Sequence, residues 1–100
     1  MLIVSGIITF DPSKQADLVA LVEPLVAATL AEPGNITYGF WLDPLDPGRT
    51  RVYEEWESTD AMDEHMGSAH MATFLEGMGG IGVNGVEIIQ HEVTNSSKLM

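Results

Sequence analysis

The chemistry-bearing residues of the chain crowd into Val52-Tyr53-Glu54-Glu55-Trp56-Glu57-Ser58, Ala61-Met62-Asp63-Glu64-His65 and Ser68-Ala69-His70-Met71-Ala72-Thr73-Phe74. Glu54 and Trp56 are two residues apart, so on a strand they share one face. His65 and His70 carry imidazoles whose unperturbed pKa of ~6.5 lets them accept a proton near neutrality. A strand Glu-x-Trp, a capped helix ending in His65 and a following His70-x-x-x-Phe74 would surround one pocket between sheet and helices. His65 is the first candidate base and His70 the second. Glu54 is a candidate partner that orients a histidine or raises its basicity. Trp56, Phe74, Met71, Tyr38 and Phe40 are candidates for a ring-stacking wall.

Composition removes several other chemistries. The chain has 100 residues, no cysteine, four Lys plus Arg, and fifteen Asp plus Glu, a formal charge of -11. That balance opposes nucleic acid, an anionic membrane surface, and large CoA-like or nucleotide ligands. The lack of cysteine removes disulfides, thiolate catalysis, Fe–S clusters and Cys-based zinc sites. No apolar run approaches the length of a membrane span. Met1 to Phe10 lacks a basic flank and a cleavage site, so it reads as a strand and a cytoplasmic protein is expected. His65 and His70 are five apart, which turns them about 140° away from each other on a continuous helix. A bend at Gly67 would bring them together and His91 could join them. No third ligand has diagnostic spacing, so no metal is expected.

The elements that must position these residues follow from periodicity. Leu2 to Phe10 is β-branched and apolar on both faces, with Leu2, Val4, Ile8 and Phe10 on one and Ile3 and Ile7 on the other. Asp11-Pro12-Ser13 is a helix start. Leu18, Leu21, Val22, Leu25, Val26 and Thr29 keep helical spacing to about Ala31, with Pro24 expected to kink the run and Pro33-Gly34 to end it. Ile36 to Leu42 alternates as a second strand. Asp43 to Gly48 is turn chemistry, and Thr50 to Glu57 a third strand. A second helix starts near Asp60, capped by Ser58 or Thr59, breaks at Gly67-Ser68 and resumes from Ala69 to about Glu76. Gly77 to Gly85 holds five glycines and reads as a flexible loop, a candidate lid, since it lacks the Gly-Lys-Ser/Thr of a phosphate loop. Val86 to Thr94 is a fourth strand. One domain, residues 1–94, and a tail, residues 95–100, are expected.

The order β-α-β-β-α-β predicts an α+β, ferredoxin-like fold with an antiparallel sheet ordered 4-1-3-2. Two helices cover one face only. The other, with Ile3 and Ile7, asks for a partner, and a second copy packed sheet to sheet is the least demanding. Arg49 and Arg51, the only arginines, are expected to meet acidic groups at the dimer edge.

Taken together, Glu32-Pro33-Gly34 before Tyr38, Glu54-x-Trp56, and His65-x-x-Ser68-x-His70-x-x-x-Phe74 give the chain a second meaning. From Leu2 to about Val93 it resembles the antibiotic biosynthesis monooxygenase family, dimeric α/β barrel proteins, and within it the quinol monooxygenase-like members. The resemblance implies a homodimer and a cofactor-independent oxygenation of a small aromatic quinol or polyphenol by dioxygen. Triplet dioxygen reacts slowly with closed-shell molecules, but a deprotonated quinol can pass it one electron, and the radicals then recombine. Such a reaction needs a base, a dry pocket, and donors for the phenolate oxygen. The family's haem degraders use an Asn on the first strand with a Trp and a His in the later helical region. Here Ser5-Gly6-Ile7 carries no Asn and His65 falls where the Trp would lie, which argues against haem cleavage.

Each residue also has a plain structural role available. His65 could be a helix-to-strand hydrogen-bonding residue, His70 a surface residue, Trp56 and Phe74 core, and Glu54 one of a solvated acidic run with Glu55 and Glu57. The alternative function is a non-catalytic dimer that binds an aromatic ligand in the same pocket.

Overall fold

The computed structural model describes residues 1–100. Its elements are β1 (Leu2–Thr9), α1 (Gln15–Leu30), β2 (Asn35–Asp43), β3 (Asp46–Trp56), α2 (Thr59–Met66), α3 (Ala69–Gly77) and β4 (Gly85–Glu92). Two 3-10 turns, Pro12–Lys14 and Met78–Ile81, flank the first and last helices. The four strands form one antiparallel sheet ordered β2-β3-β1-β4. This is the ferredoxin-like α+β arrangement that the periodicity predicted.

Strand alternation puts Leu2, Val4 and Ile8 of β1, Val52, Glu54 and Trp56 of β3, and Tyr38 of β2 on the face that the helices cover. With Leu25 of α1 and Phe74 of α3, the apolar members of this set form the main core. Phe10, Leu18 and Ile81 form a smaller core at one end. Burying a large apolar side chain in such a core contributes roughly 1.5–3 kcal/mol. The opposite face carries Ile3, Ile7, Trp41 and Ile89 with no helix over it. Trp41, 55% exposed, lies across Gly39, where a Cβ would collide with its indole ring.

Three local expectations change. First, α1 runs unbroken from Gln15 to Leu30 through Pro24. Proline costs a helix one backbone hydrogen bond, and here the packing of Leu18, Leu25 and Thr29 outweighs that loss. Second, the β2–β3 turn is shorter than Asp43 to Gly48: Asp43 pairs with Asp46 across Pro44-Leu45. The Asp43 carboxylate accepts from Leu45 N–H at 2.8 Å, which closes the turn locally. Third, the glycine-rich stretch is not a loose lid. Met78–Ile81 makes a 3-10 turn and Ile81 is buried against Phe10 and Leu18. Asp11 N–H also donates to the Ile81 carbonyl at 3.2 Å. Arg49 pairs with Asp43 of its own chain at 3.5 Å, and Arg51 donates to Ser5 Oγ at 2.9 Å.

Candidate functional site

A tight turn and two helix caps build the site. After α1, Asn35 N–H donates to the Glu32 carbonyl at 3.2 Å. Pro33 and Gly34 occupy the central positions, and Gly34 has φ +84°, the pattern of a type II turn. Gly34 is also the point of approach for α2, since a Cβ there would lie 2.6 Å from Ala61 Cβ. One helical turn beyond Ala61, His65 reaches the Glu32 carboxylate.

Ser58 caps α2 by accepting from Ala61 N–H, and Ser68 caps α3 by accepting from Met71 N–H. The Ser68 hydroxyl also donates to the His65 carbonyl at 2.6 Å. One side chain therefore clamps the end of α2 to the start of α3. The break at Gly67 redirects the chain and brings the His65 and His70 rings to 5.8 Å between centroids.

His65 is 1% exposed, and its Nδ1 lies 2.8 Å from Glu32 Oε2. A carboxylate only accepts, so Nδ1 carries the proton and donates it, which leaves Nε2 with the lone pair. Burial lowers the His65 pKa from the usual histidine value, opposed by its bond to Glu32, so the ring is neutral at pH 7. Trp56 and Tyr38 pack against that ring, with centroids 4.8 and 5.3 Å away.

The partner carboxylate of His65 is Glu32, not Glu54. Glu54, 5% exposed, accepts from Trp56 Nε1 at 2.9 Å. Burial raises its pKa to about 7, with the Trp56 hydrogen bond opposing and the Glu32 charge adding to the shift. Burial likewise pushes the Tyr38 phenol well above its ordinary range, helped by the charges of Glu54 and Glu32. A neutral imidazole, a half-protonated carboxyl and a persistent phenol O–H thus share one small region.

Two spaces adjoin it. A cavity of about 280 Å³ lies between sheet and helices, walled by Val4, Glu54, His65, Ile88 and the methionines Met62, Met66 and Met71, with Gln90 at its rim. Beside it β4 comes close to β1 at Gly6, where a Cβ would collide with the Glu87 carbonyl and with Ile88. A cleft of about 290 Å³ between α1 and α3 is walled by His70, Phe74, Thr73, Pro24, Leu25, Ala28 and Leu21.

Of the residues singled out from sequence, His65, Glu54 and Met71 therefore line one cavity, while His70 and Phe74 line the cleft beside it. Tyr38, Phe40 and Trp56 line neither. Tyr38 packs edge-on against both Phe40 and Trp56, and Phe40 lies tilted against Phe74, with centroids 5.7 Å apart. His91 pairs with Ile3 across β1 and so belongs to the uncovered face, away from His65 and His70. The residue that sequence reasoning missed is Glu32. It stood in view only within Glu32-Pro33-Gly34, one of the segments that carry the family resemblance, and was given no chemical role; the one usable signal was an acidic residue fixed by a rigid turn.

Comparison with known proteins agrees with this architecture. The sequence profile of the family described as "Antibiotic biosynthesis monooxygenase" matches residues 1–77. A Mycobacterium tuberculosis protein named "Putative monooxygenase Rv0793" is 31% identical over 68 residues, covering 68% of this chain and 66% of that one. A Synechocystis protein named "Uncharacterized protein sll1783" is 28% identical over 75 residues, covering 75% of this chain and 51% of that one. The matched segment thus spans between half and two thirds of these relatives. A crystal structure from Deinococcus radiodurans, described as a "putative antibiotic biosynthesis monooxygenase", superposes with a TM-score of 0.92 at 23% identity, covering 100% of this chain and 99% of that one. The structure of the mycobacterial protein superposes with a TM-score of 0.85 at 24% identity, covering 97% and 98%. At those identities the likeness shows the fold. No helix is long and apolar enough to cross a membrane.

Proposed function

Because this chain belongs to the antibiotic biosynthesis monooxygenase family, we propose that it oxidises a small aromatic quinol or polyphenol with dioxygen, using its own side chains for the proton transfers. The observation that carries this reading is His65, held by a 2.8 Å hydrogen bond to Glu32, in the wall of an apolar cavity of about 280 Å³. The name of the mycobacterial relative points the same way.

The reaction asks for three things. His65 Nε2 takes a proton from a quinol hydroxyl, and Glu32 stabilises the imidazolium that results. The quinolate gives one electron to dioxygen, and the superoxide and semiquinone radicals recombine at a ring carbon. The protonated form of Glu54 supplies a proton to the peroxide. Breaking the O–O bond expels hydroxide, which takes the proton held on His65 and leaves as water, while one oxygen atom stays on the ring carbon of what is now a hydroxyquinone. The quinol provides every electron, and the ring proton lost from carbon restores the acid. The methionine and isoleucine side chains of the wall give the anion an apolar surround, which strengthens its interaction with the few polar groups present.

A second copy completes the assembly in this proposal. Ile3, Ile7, Trp41 and Ile89 lie on the uncovered sheet face, interspersed with Arg51, Glu55 and Glu87, and a twofold partner is the simplest way to bury them. A single domain over residues 1–94 with a short tail is the unit we assign to this role.

The test is dioxygen uptake by protein freed of metal and flavin, across a panel of hydroquinones. Turnover is expected, and His65→Ala should lose most of it, on the order of 10²-fold or more for a general base. Tight aromatic binding with no uptake would instead support a non-catalytic binder and end the enzyme reading. A Soret titration is expected to show no haem complex.

A further inference from the structure

We propose that Glu32, His65 and His70 form a binding site for a divalent transition-metal ion of the zinc class, and that occupancy of this site switches His65 off as a base. The binding claim stands on the geometry alone; the switching claim rests on the function proposed above.

The three residues come from three places: the turn after α1, the end of α2 and the start of α3. Their ligand atoms all lie within 4.8 Å of one another. One carboxylate oxygen of Glu32 is 2.8 Å from His65 Nδ1 and the other is 3.4 Å from His70 Nε2. Zinc bonds to nitrogen and carboxylate oxygen of about 2.0–2.2 Å put neighbouring ligand atoms roughly 3.3–3.5 Å apart in a tetrahedron. The 3.4 Å contact falls in that range and the 2.8 Å contact lies below it.

A second observation points to a missing ligand. His70 Nε2 is shielded from solvent yet has no hydrogen-bond partner, although it faces the Glu32 carboxylate. Shielded polar atoms are almost always satisfied, and a cation between Nε2 and Glu32 would satisfy this one. Two imidazoles and one carboxylate make the three-ligand set that leaves a zinc ion an open fourth position. The excess of fifteen acidic over four basic residues favours a cation at the surface. The cleft between α1 and α3, walled in part by His70, gives it a route inward. The Ser68 clamp fixes the two histidine-bearing helices relative to each other, as a metal site requires of its supporting groups.

The consequence for His65 follows from tautomer chemistry. In the metal-free protein Nδ1 holds the proton and Nε2 the lone pair. A metal on Nδ1 moves that proton to Nε2, and the ring has nothing left with which to accept a proton from a quinol.

The experiment uses the full chain stripped with a chelator. Zinc chloride is titrated calorimetrically, and cobalt chloride is followed by its visible absorption. One ion per chain is expected, with cobalt bands of tetrahedral intensity. Glu32→Gln and His70→Ala should each weaken zinc binding by about tenfold or more, on the scale seen when metal-site residues are changed. His91→Ala, on the far face of the sheet, should leave binding as it is. No saturable binding, or binding lost with His91 and kept without His70, overturns the site. Dioxygen uptake is then measured in parallel: zinc should suppress it and chelator restore it. Uptake that is unaffected at saturating zinc overturns the switch. Uptake absent even from metal-free protein overturns the functional reading, and the zinc titration still decides the site.

Discussion

Replacing Glu54 by Gln tests the electrostatics of the cavity most sharply. Gln keeps an oxygen to accept from Trp56 Nε1, now at 2.9 Å from Glu54 Oε1, and fills almost the same volume. What it removes is ionisation. In the folded protein burial raises the Glu54 carboxyl to about 7, against 4.5 for an unperturbed glutamate. A raised carboxyl pKa means the folded state holds its proton where the unfolded chain has lost it. The stability of the wild type therefore falls as pH rises through the interval between those values, and levels off above it. At ~1.4 kcal/mol per unit, the whole shift is worth roughly 3 kcal/mol. Most of it, roughly 2–3 kcal/mol, falls between about pH 5 and about pH 8. The Gln variant lacks this slope, so its stability relative to wild type should rise by that amount across the same interval. Urea unfolding at matched protein concentration reads it directly. With a slope of about 1–3 kcal/mol/M, the difference in midpoints should change by roughly 0.7–3 M between the two pH values. A midpoint difference equal at both pH values would refute the argument that burial keeps Glu54 protonated.

Other consequences follow from the same geometry. Gly34→Ala forces a side chain into a backbone with φ +84° and against Ala61; thermal unfolding should show a loss of about 1–3 kcal/mol, and dioxygen uptake should fall as α2 moves away from Glu32. Ser68→Ala removes the cap of α3 together with the bond to the His65 carbonyl; a cost of about 1 kcal/mol is expected, with a larger relative loss of turnover than of stability. Trp41→Glu places a charge beside Arg51 on the uncovered face; sedimentation should show the proposed dimer replaced by single chains, and an unchanged dimer would rule out that face as the interface.

Much of the fold was legible because burial writes its period into the chain. Leu2, Val4, Ile8 and Phe10 alternate with Ile3 and Ile7, and the two sets lie on opposite faces of β1 as the pattern requires. The strand order followed from handedness once the element order was known. Ser58 and Ser68 each stand where a cap was needed, and both serve as caps. Legibility ended where local signals compete with packing. Pro24 should end a helix in isolation, but three buried residues hold α1 together across it. Five glycines between Gly77 and Gly85 look like slack chain, yet a single Ile81 anchors them in the core.

The site was half readable. His65, His70 and Glu54 share one region because strand and helix periods put them there. The pairing of His65 with Glu32 spans 33 positions. It depends on how α2 lies over the turn after α1, and no spacing rule encodes that contact. For the same reason the sequence could not separate aromatic residues that line a cavity from those that fill the core. Tyr38 and Trp56 satisfy both patterns until their neighbours are known.

The central claim is that the chain's own base and acid, His65 and Glu54, carry one oxygen atom of dioxygen into a quinol. Isotopically labelled dioxygen, supplied with a hydroquinone to protein free of metal and flavin, tests it most directly. The account predicts one labelled oxygen in the quinone product for each labelled water formed, and loss of both when His65 is replaced. Label that appears only in hydrogen peroxide, or incorporation that persists without His65, would contradict it.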